Sequence, residues 1–181
     1  MKTIETKRLI LRGWQESDVT DLYEYASDDR VGPSAGWAPH KNEAESKKII
    51  DSFIDGGEVY AVVLKAENKV IGSLGLHDRK PAEFVKDVPQ REIGYVLSPK
   101  YWGEGYIPEA VGEVIKYGFE ELNLEVIWCG HFDFNQKSRR VNEKCGFKHR
   151  FTMQKTLPLL DNRIVESLVY SITKEDYFNN S

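Results

Sequence analysis

The residues from Glu92 to Ala110 run from an apolar alternating stretch into a glycine loop, Gly103-Glu104-Gly105, and then into a helical pattern. Without Cβ atoms, Gly103 and Gly105 let the loop's backbone N–H groups approach an anion closely. A helix start behind the loop adds unpaired N–H donors and a partial positive charge. Pro108 suits the first helical turn, where no N–H is needed. Strand, glycine loop and helix start in this order can cradle a pyrophosphate. A tight turn that needs two small residues gives the same pattern, because a glycine pair alone is weak evidence. A dinucleotide fingerprint is excluded: position 108 is proline, and the loop lies mid-chain after several antiparallel-looking strands. A P-loop is excluded because no Gly-Lys-Ser/Thr follows.

The other chemistry-bearing residue types are sparse. The four histidines, His40, His77, His131 and His149, lack metal-ligand spacing, so no metal is expected. Cys129 and Cys145 do not form a CxxC pair and lie in apolar surroundings, which reads as two reduced, buried thiols.

The glycine loop needs elements that hold it in place. Leu9 to Trp14 reads as a first strand. Ser17 reads as the N-cap of a helix carrying Val19, Leu22, Tyr23 and Ala26. Asp28 to His40 is turn-rich. Asn42 and Glu45 have capping-box spacing ahead of a second helix, with Ile49, Ile50, Phe53 and Ile54 inward and Gly56-Gly57 as its stop. Three strands follow at Val59–Leu64, Val70–His77 and Arg91–Leu97, the first two joined by a turn at Glu67-Asn68-Lys69. A long helix runs from about Pro108 to Leu122, with Ala110, Val111, Val114, Ile115, Gly118, Phe119 and Leu122 on its inner side. Then come a strand at Glu125–Phe132, a short helix at Ser138–Lys144, and paired strands at Phe147–Lys155 and Ile164–Ile172. The order β-αα-βββ-α-β-α-ββ predicts one mixed α/β domain over residues 1–181, of the α+β type, with a mostly antiparallel sheet of about seven strands flanked by helices.

Bulk properties narrow the partners. With 181 residues, 40% hydrophobic and 30% charged, the chain has the balance of a globular domain. A net charge of −4 gives no basic footprint for nucleic acid. No apolar run approaches the roughly 20 residues a membrane span needs. The residues after Met1 form a polar, β-like stretch rather than an apolar leader, so a cytoplasmic location is expected. Asp18, Asp21, Glu24, Asp28 and Asp29 give the first helix an acidic side, which reads as a solvated face before it reads as an attractor for a basic substrate.

Lys100-x-x-Gly103-x-Gly105, with Tyr106 and Glu109-Ala110 behind it, resembles the coenzyme A loop of the Gcn5-related (GNAT-type) N-acetyltransferases. Its Tyr101-Trp102-Gly103 form is similar to the branch containing the ribosomal-protein N-terminal acetyltransferases (RimJ/RimL-like). Three further segments resemble that branch in order and spacing: Thr6-x-Arg8-Leu9-x-Leu11-Arg12; Trp37-x-Pro39-His40; and Asn135-x-x-Ser138-x-x-Val141-x-Glu143-Lys144-x-Gly146-Phe147. The likeness covers nearly the whole chain. It implies an enzyme that transfers an acetyl group from acetyl-CoA to a primary amine, with a protein N-terminus as the acceptor by analogy. Small amines (polyamines, antibiotics, amino acids) and a non-catalytic acyl-CoA sensor stand as alternatives.

Amide formation from a thioester needs a neutral amine, yet alkyl ammoniums have pKa values near ~10 and α-amino groups near ~8. A carboxylate acting directly or through water can remove the proton if burial raises its pKa. Glu92 matches the strand-borne base of the family; the alternative is a solvated carboxylate paired with Arg91 or a lysine. The resemblance implies that Val96, Leu97 and Ser98 offer backbone groups to the pantetheine arm. It also implies that Gly103, Glu104, Gly105 and Tyr106 bind the pyrophosphate, with Lys100 where Gln or Arg is usual. Asn135 is expected at the pantetheine or carbonyl, or as a helix cap. Ser138 is expected to protonate or hydrogen-bond the departing sulfur, or to cap the same helix. The family's usual tyrosine acid is replaced by Asn142. Trp14, Trp37, Tyr60, Trp128 and Phe132 are each read as core first and as acceptor-pocket lining second. The late strands offer an edge, so monomer and homodimer are both open.

Overall fold

A computed structural model of the chain describes residues 1–179. Its strands are β1 (Ile4–Glu5), β2 (Leu9–Arg12), β3 (Val59–Leu64), β4 (Lys69–His77), β5 (Gln90–Leu97), β6 (Val126–Phe132), β7 (Lys148–Leu157) and β8 (Arg163–Thr173). The helices are α1 (Val19–Ala26), α2 (Gly32–Ala35), α3 (Glu43–Gly56), α4 (Tyr106–Glu120), α5 (Gln136–Lys144) and α6 (Lys174–Asn179). The strands form one eight-stranded sheet in the order β1-β2-β3-β4-β5-β6-β8-β7, and every pairing is antiparallel except β5 with β6. This is the expected mixed α/β sheet, with the two-residue β1 as the eighth strand.

The sheet buries a different core on each face. On one face α4 packs Ile107, Ala110, Val111, Val114, Ile115 and Phe119 against strand residues such as Leu11, Val62, Ile93 and Ile127. On the other, α1 and α3 pack Leu22, Tyr25 and Ile50 against Ala61, Val63 and Val70. The period-2 strands and 3.6-period helices sort their apolar residues onto these faces. Leu122 lies beyond the end of α4 and is 37% exposed, so it is not on the inner side. Likewise α3 buries Ile50 but leaves Ile49 and Ile54 outward, because the helix meets the sheet along a narrow stripe.

Two caps differ from the expected ones. The first helix is introduced by a 3-10 turn at Glu16–Asp18. Asp18, not Ser17, organises it by accepting from the Gln15 N–H and pairing with the Arg12 guanidinium through both oxygens. At α3, Asn42 Oδ1 accepts from Glu45 N at 3.0 Å as expected, but Glu45 reaches back to the N–H of Lys41 rather than that of Asn42. The acidic side of α1 is spent internally: Asp21 and Glu24 pair with Lys69, and Asp28 with Arg30.

The opening Thr6-x-Arg8 motif ties the sheet to α4. Thr6 Oγ1 and the Arg8 N–H both donate to Glu109 Oε1, and Arg8 Nε donates to Oε2 at 2.7 Å. Arg8 also reaches Glu104 O and lies 4.3 Å from the centroid of the Tyr106 ring. Burial pushes the Glu109 carboxyl up, but the hydrogen bonds from Thr6 and Arg8 outweigh it and hold the pKa below the ordinary carboxylate value. A carboxylate with a depressed folded pKa stabilises above its unfolded value, near ~4.3 for Glu, and loses that contribution as pH falls through the folded value. Glu109→Gln should therefore lower the thermal midpoint at pH 7, and the gap from wild type should close as melts are repeated below about pH 4.

Candidate active site

The ladder between β5 and β6 joins only Gln90–Ile93 to Val126–Cys129. Beyond it β5 continues to Leu97 and β6 to Phe132, so the two strands fork. The fork opens into a cleft of about 780 Å³ bounded by α2, the N-terminus of α4 and the first turns of α5. That volume suits a ligand of cofactor size.

The glycine loop forms one wall. Gly103 (φ 88°) and Gly105 (φ 78°) are left-handed, a conformation that costs a residue with a Cβ extra energy. Gly105 is the N-cap residue of α4, and a Cβ at Gly103 would meet nothing within 4 Å, so its backbone faces open space. The helix starts at Tyr106, two residues before the expected Pro108. Its first N–H groups have no carbonyl partner inside the helix and point at whatever enters the cleft. Trp102 closes this wall: its Nε1 donates to Leu97 O at 2.9 Å, and Lys137 Nζ sits 3.7 Å from its ring centroid. Arg30, Lys137, Arg140 and Lys144 also line the cleft, giving it a cationic rim suited to phosphates.

The fork and α5 form the opposite wall. Val96 and Leu97 line it from β5, and Asn135 and Ser138 from the start of α5. Asn135 Oδ1 accepts from Ser138 N at 3.1 Å, and Nδ2 donates to Ser34 O at 3.3 Å, so it caps α5 and joins it to α2. Tyr95 also lines the cleft, and its hydroxyl lies 3.3 Å from Ser138 O; burial pushes its pKa well up, so it stays protonated. Asn142, on the inner side of α5, is buried and its Oδ1 accepts from Cys129 Sγ at 3.1 Å, so this side chain faces β6.

Of the expected site residues, Val96, Leu97, Gly103, Gly105, Tyr106, Asn135 and Ser138 thus meet at the cleft. Lys100 turns away and pairs with Glu24. Glu104 contributes its carbonyl to Arg8. Ser98 is buried with its N–H donated to Ile71 O at 2.8 Å, so that donor is committed to the β4 side. Glu92 lies further back along β5, on the face that carries α1 and α3. Its side chain is 19% exposed, and its Oε2 accepts from Arg79 Nε at 2.6 Å. That partner comes from the polar loop after β4, not from Arg91 or a lysine. Among the aromatics, Trp14 and Tyr60 are core. Trp128 is largely buried but borders a second hollow of about 540 Å³ with Phe84, Phe151 and Gln90.

On that face, the row Gln90, Glu92, Gly94 and Val96 runs from this hollow to the cleft, because alternate residues of a strand share a face. Gly94 is only half-buried although it lies mid-sheet, so this face of the row is accessible there. The cationic rim was missed by sequence reading, although Lys137, Arg140 and Lys144 show helical i, i+3, i+7 spacing that could have revealed it. Among the described residues, no group of three or more His, Cys, Asp or Glu is placed to hold a metal, and no helix is long and apolar enough to cross a membrane.

The acetyltransferase (GNAT) domain model matches residues 8–148. The chain is 30% identical over 176 residues to the uncharacterized N-acetyltransferase YnaD of Bacillus subtilis (strain 168), covering 96% of this chain and 98% of that protein. The crystal structure of a GNAT-family acetyltransferase from Bacillus anthracis superposes with a TM-score of 0.85 at 28% identity, covering 96% of this chain and 99% of that one. The microcin C7 self-immunity acetyltransferase MccE, solved in complex with acetyl-CoA and AMP, shares the fold with a TM-score of 0.76 at 18% identity, covering 92% of this chain and 93% of that one.

Proposed function

The chain belongs to the acetyltransferase (GNAT) family and is an N-acetyltransferase, and from that premise we propose that it moves the acetyl group of acetyl-CoA to a primary amine by direct attack. The observation that carries this reading is the β5–β6 fork facing the left-handed glycine loop and a cationic rim. The acetyl-CoA held by MccE, which has the same fold, supports the choice of cosubstrate. The chain's own groups fit it: the open backbone at Gly103, Gly105 and Tyr106 would hold the pyrophosphate, and Arg30, Lys137 and Arg140 would neutralise the phosphates. Backbone groups of Val96 and Leu97 would receive the pantetheine arm.

Glu92, on the open face of β5, draws the proton off the acceptor ammonium, directly or through one intervening group. Ser138 offers its hydroxyl to the departing sulfur; with a thiol pKa near ~8.5 the thiolate leaves without much help, so this donor assists rather than decides. The four ordered motifs resemble those of the ribosomal-protein branch, which favours a protein N-terminal α-amine as acceptor and a cytoplasmic location.

Thiol release from acetyl-CoA against peptides with N-terminal Ser or Ala, polyamines, aminoglycosides and free amino acids tests the reading. Release that depends on one amine class establishes the transferase and names its substrate. Tight acetyl-CoA binding with no release from any of these amines points instead to an acyl-CoA sensor.

A further inference from the structure

His77 is the cross-strand partner of Glu92 in the β4–β5 ladder, so both side chains rise from the same face of the sheet. Its imidazole leans back along β4 rather than out over the strand end. A Cβ at Gly75 would lie 2.2 Å from His77 Nε2, and one at Gly94 would lie 3.8 Å from it. Gly75 and Gly94 are themselves paired, and β4 is antiparallel to β5, so leaning from 77 toward 75 is leaning toward Val96 and the cleft. The ring therefore occupies a slot that only glycine at 75 leaves open, between Glu92 and the fork.

The other ring nitrogen fixes the tautomer. His77 Nδ1 lies 3.3 Å from Glu58 Oε2. A carboxylate only accepts, so in this contact Nδ1 carries the hydrogen and Nε2 of the neutral ring carries the lone pair. Glu58 is kept ionised: the Asp78 N–H donates to its other oxygen at 3.1 Å, and chiefly this hydrogen bond holds its pKa below the ordinary carboxylate value. The His77 side chain is 26% exposed, and among the described residues Nε2 has no hydrogen-bond partner of its own. An imidazole oriented by a carboxylate at one nitrogen and free at the other is the arrangement of a positioned general base.

We propose that His77, oriented by Glu58 and seated on Gly75, takes the proton from the acceptor ammonium and relays it to Glu92; this rests on the acetyltransferase reading above. The ammonium proton moves to Nε2, leaving a neutral amine and an imidazolium. The amine lone pair forms the C–N bond at the acetyl carbonyl carbon, and the C–S bond breaks with its electron pair on sulfur. The second proton leaving nitrogen goes to that sulfur, giving amide and free thiol. The imidazolium passes its proton through a bridging water to Glu92, its cross-strand neighbour, and Glu92 passes it to solvent, so ammonium and thioester become amide, thiol and one released proton. The charged groups around the ring are Glu58 before β3, Asp78 and Arg79 after β4, and Arg91 and Glu92 on β5.

The test compares kcat/KM against pH for wild type, His77→Gln, His77→Ala and Gly75→Ala with the amine identified by the panel, alongside acetyl-CoA affinity. His77→Gln should lose roughly 10- to 100-fold in kcat at neutral pH with unchanged acetyl-CoA affinity, since a water reaching Glu92 can partly replace the ring. Its acid limb should move from the wild-type position, and added imidazole should restore part of the His77→Ala rate. Gly75→Ala, which evicts the ring without removing it, should reproduce part of the loss. His77→Gln/Glu92→Gln should be no slower than the slower single variant, as for groups on one proton path. A His77→Gln enzyme with wild-type kcat and pH profile overturns the relay while leaving the transferase reading intact. A wild type that releases no thiol with any amine overturns both.

Discussion

Glu92→Gln should lower kcat by about two to four orders of magnitude while leaving acetyl-CoA affinity within about twofold, as expected when a base is removed without disturbing the binding wall. The amide keeps the shape of the carboxylate but cannot hold a proton. Glu92 is separated from the coenzyme groups at Val96 and Leu97 by Gly94, so the substitution does not touch the cleft lining. The fold should survive, because the ion pair it breaks reaches Arg79, whose side chain is 55% exposed, and such pairs contribute about 1 kcal/mol or less. Pre-steady-state thiol release and equilibrium acetyl-CoA titration together check the split. A wild-type kcat in the variant would remove Glu92 from the mechanism; a collapse of coenzyme affinity would make it a binding or structural residue.

Gly72→Ala is expected to cost substantial stability at the site. A Cβ at Gly72 would lie 2.4 Å from Val96 O and 3.2 Å from Leu97 Cα, backbone atoms of the β5 arm that lines the cleft. Backbone in a central strand cannot swing aside as a side-chain tip can, so the strand must shift or the ladder must open. Overpacking of this kind costs about 2–3 kcal/mol, which for a chain of this length lowers the melting midpoint by roughly 5–10 °C. Because the displaced segment is Val96–Leu97, acetyl-CoA affinity should fall with stability. Calorimetry and coenzyme titration read the two effects. A variant with wild-type stability and affinity would mean that β5 yields without cost.

The elements that carry chemistry were legible because their signals are local. Gly103 and Gly105 ahead of a helical pattern announce a backbone that approaches an anion, and both are left-handed here. Asn135 and Asn42 stand where a side chain can cap the turn that follows, and both do. Errors came where a neighbouring residue competes for the same role, or where the covered stripe is narrower than the apolar period. Asp18 displaces Ser17 at the first helix because it can pair with Arg12, whose position next to it depends on how β2 folds back. Leu122, Ile49 and Ile54 have the right period but lie past the stripe that the sheet covers.

By itself, the sequence determined the order of strands and helices, the mixed α/β class and the glycine loop at the head of α4. Each of these follows from periodicity, turn chemistry and the steric freedom of glycine, which act over a few residues. Only the tertiary structure decided what faces the cleft. It ends the β5–β6 ladder at Ile93 and Cys129, and so creates the fork. It sends Lys100 to Glu24, Arg8 to Glu109 and Arg79 to Glu92 across separations that no local pattern encodes. It also lays His77 over Gly75 beside Glu92, where two strands joined by a long loop come into register. Partners so far apart in the chain meet only when strand register and helix packing are both set, because the energy that selects them comes from burial of the whole sheet rather than from either residue.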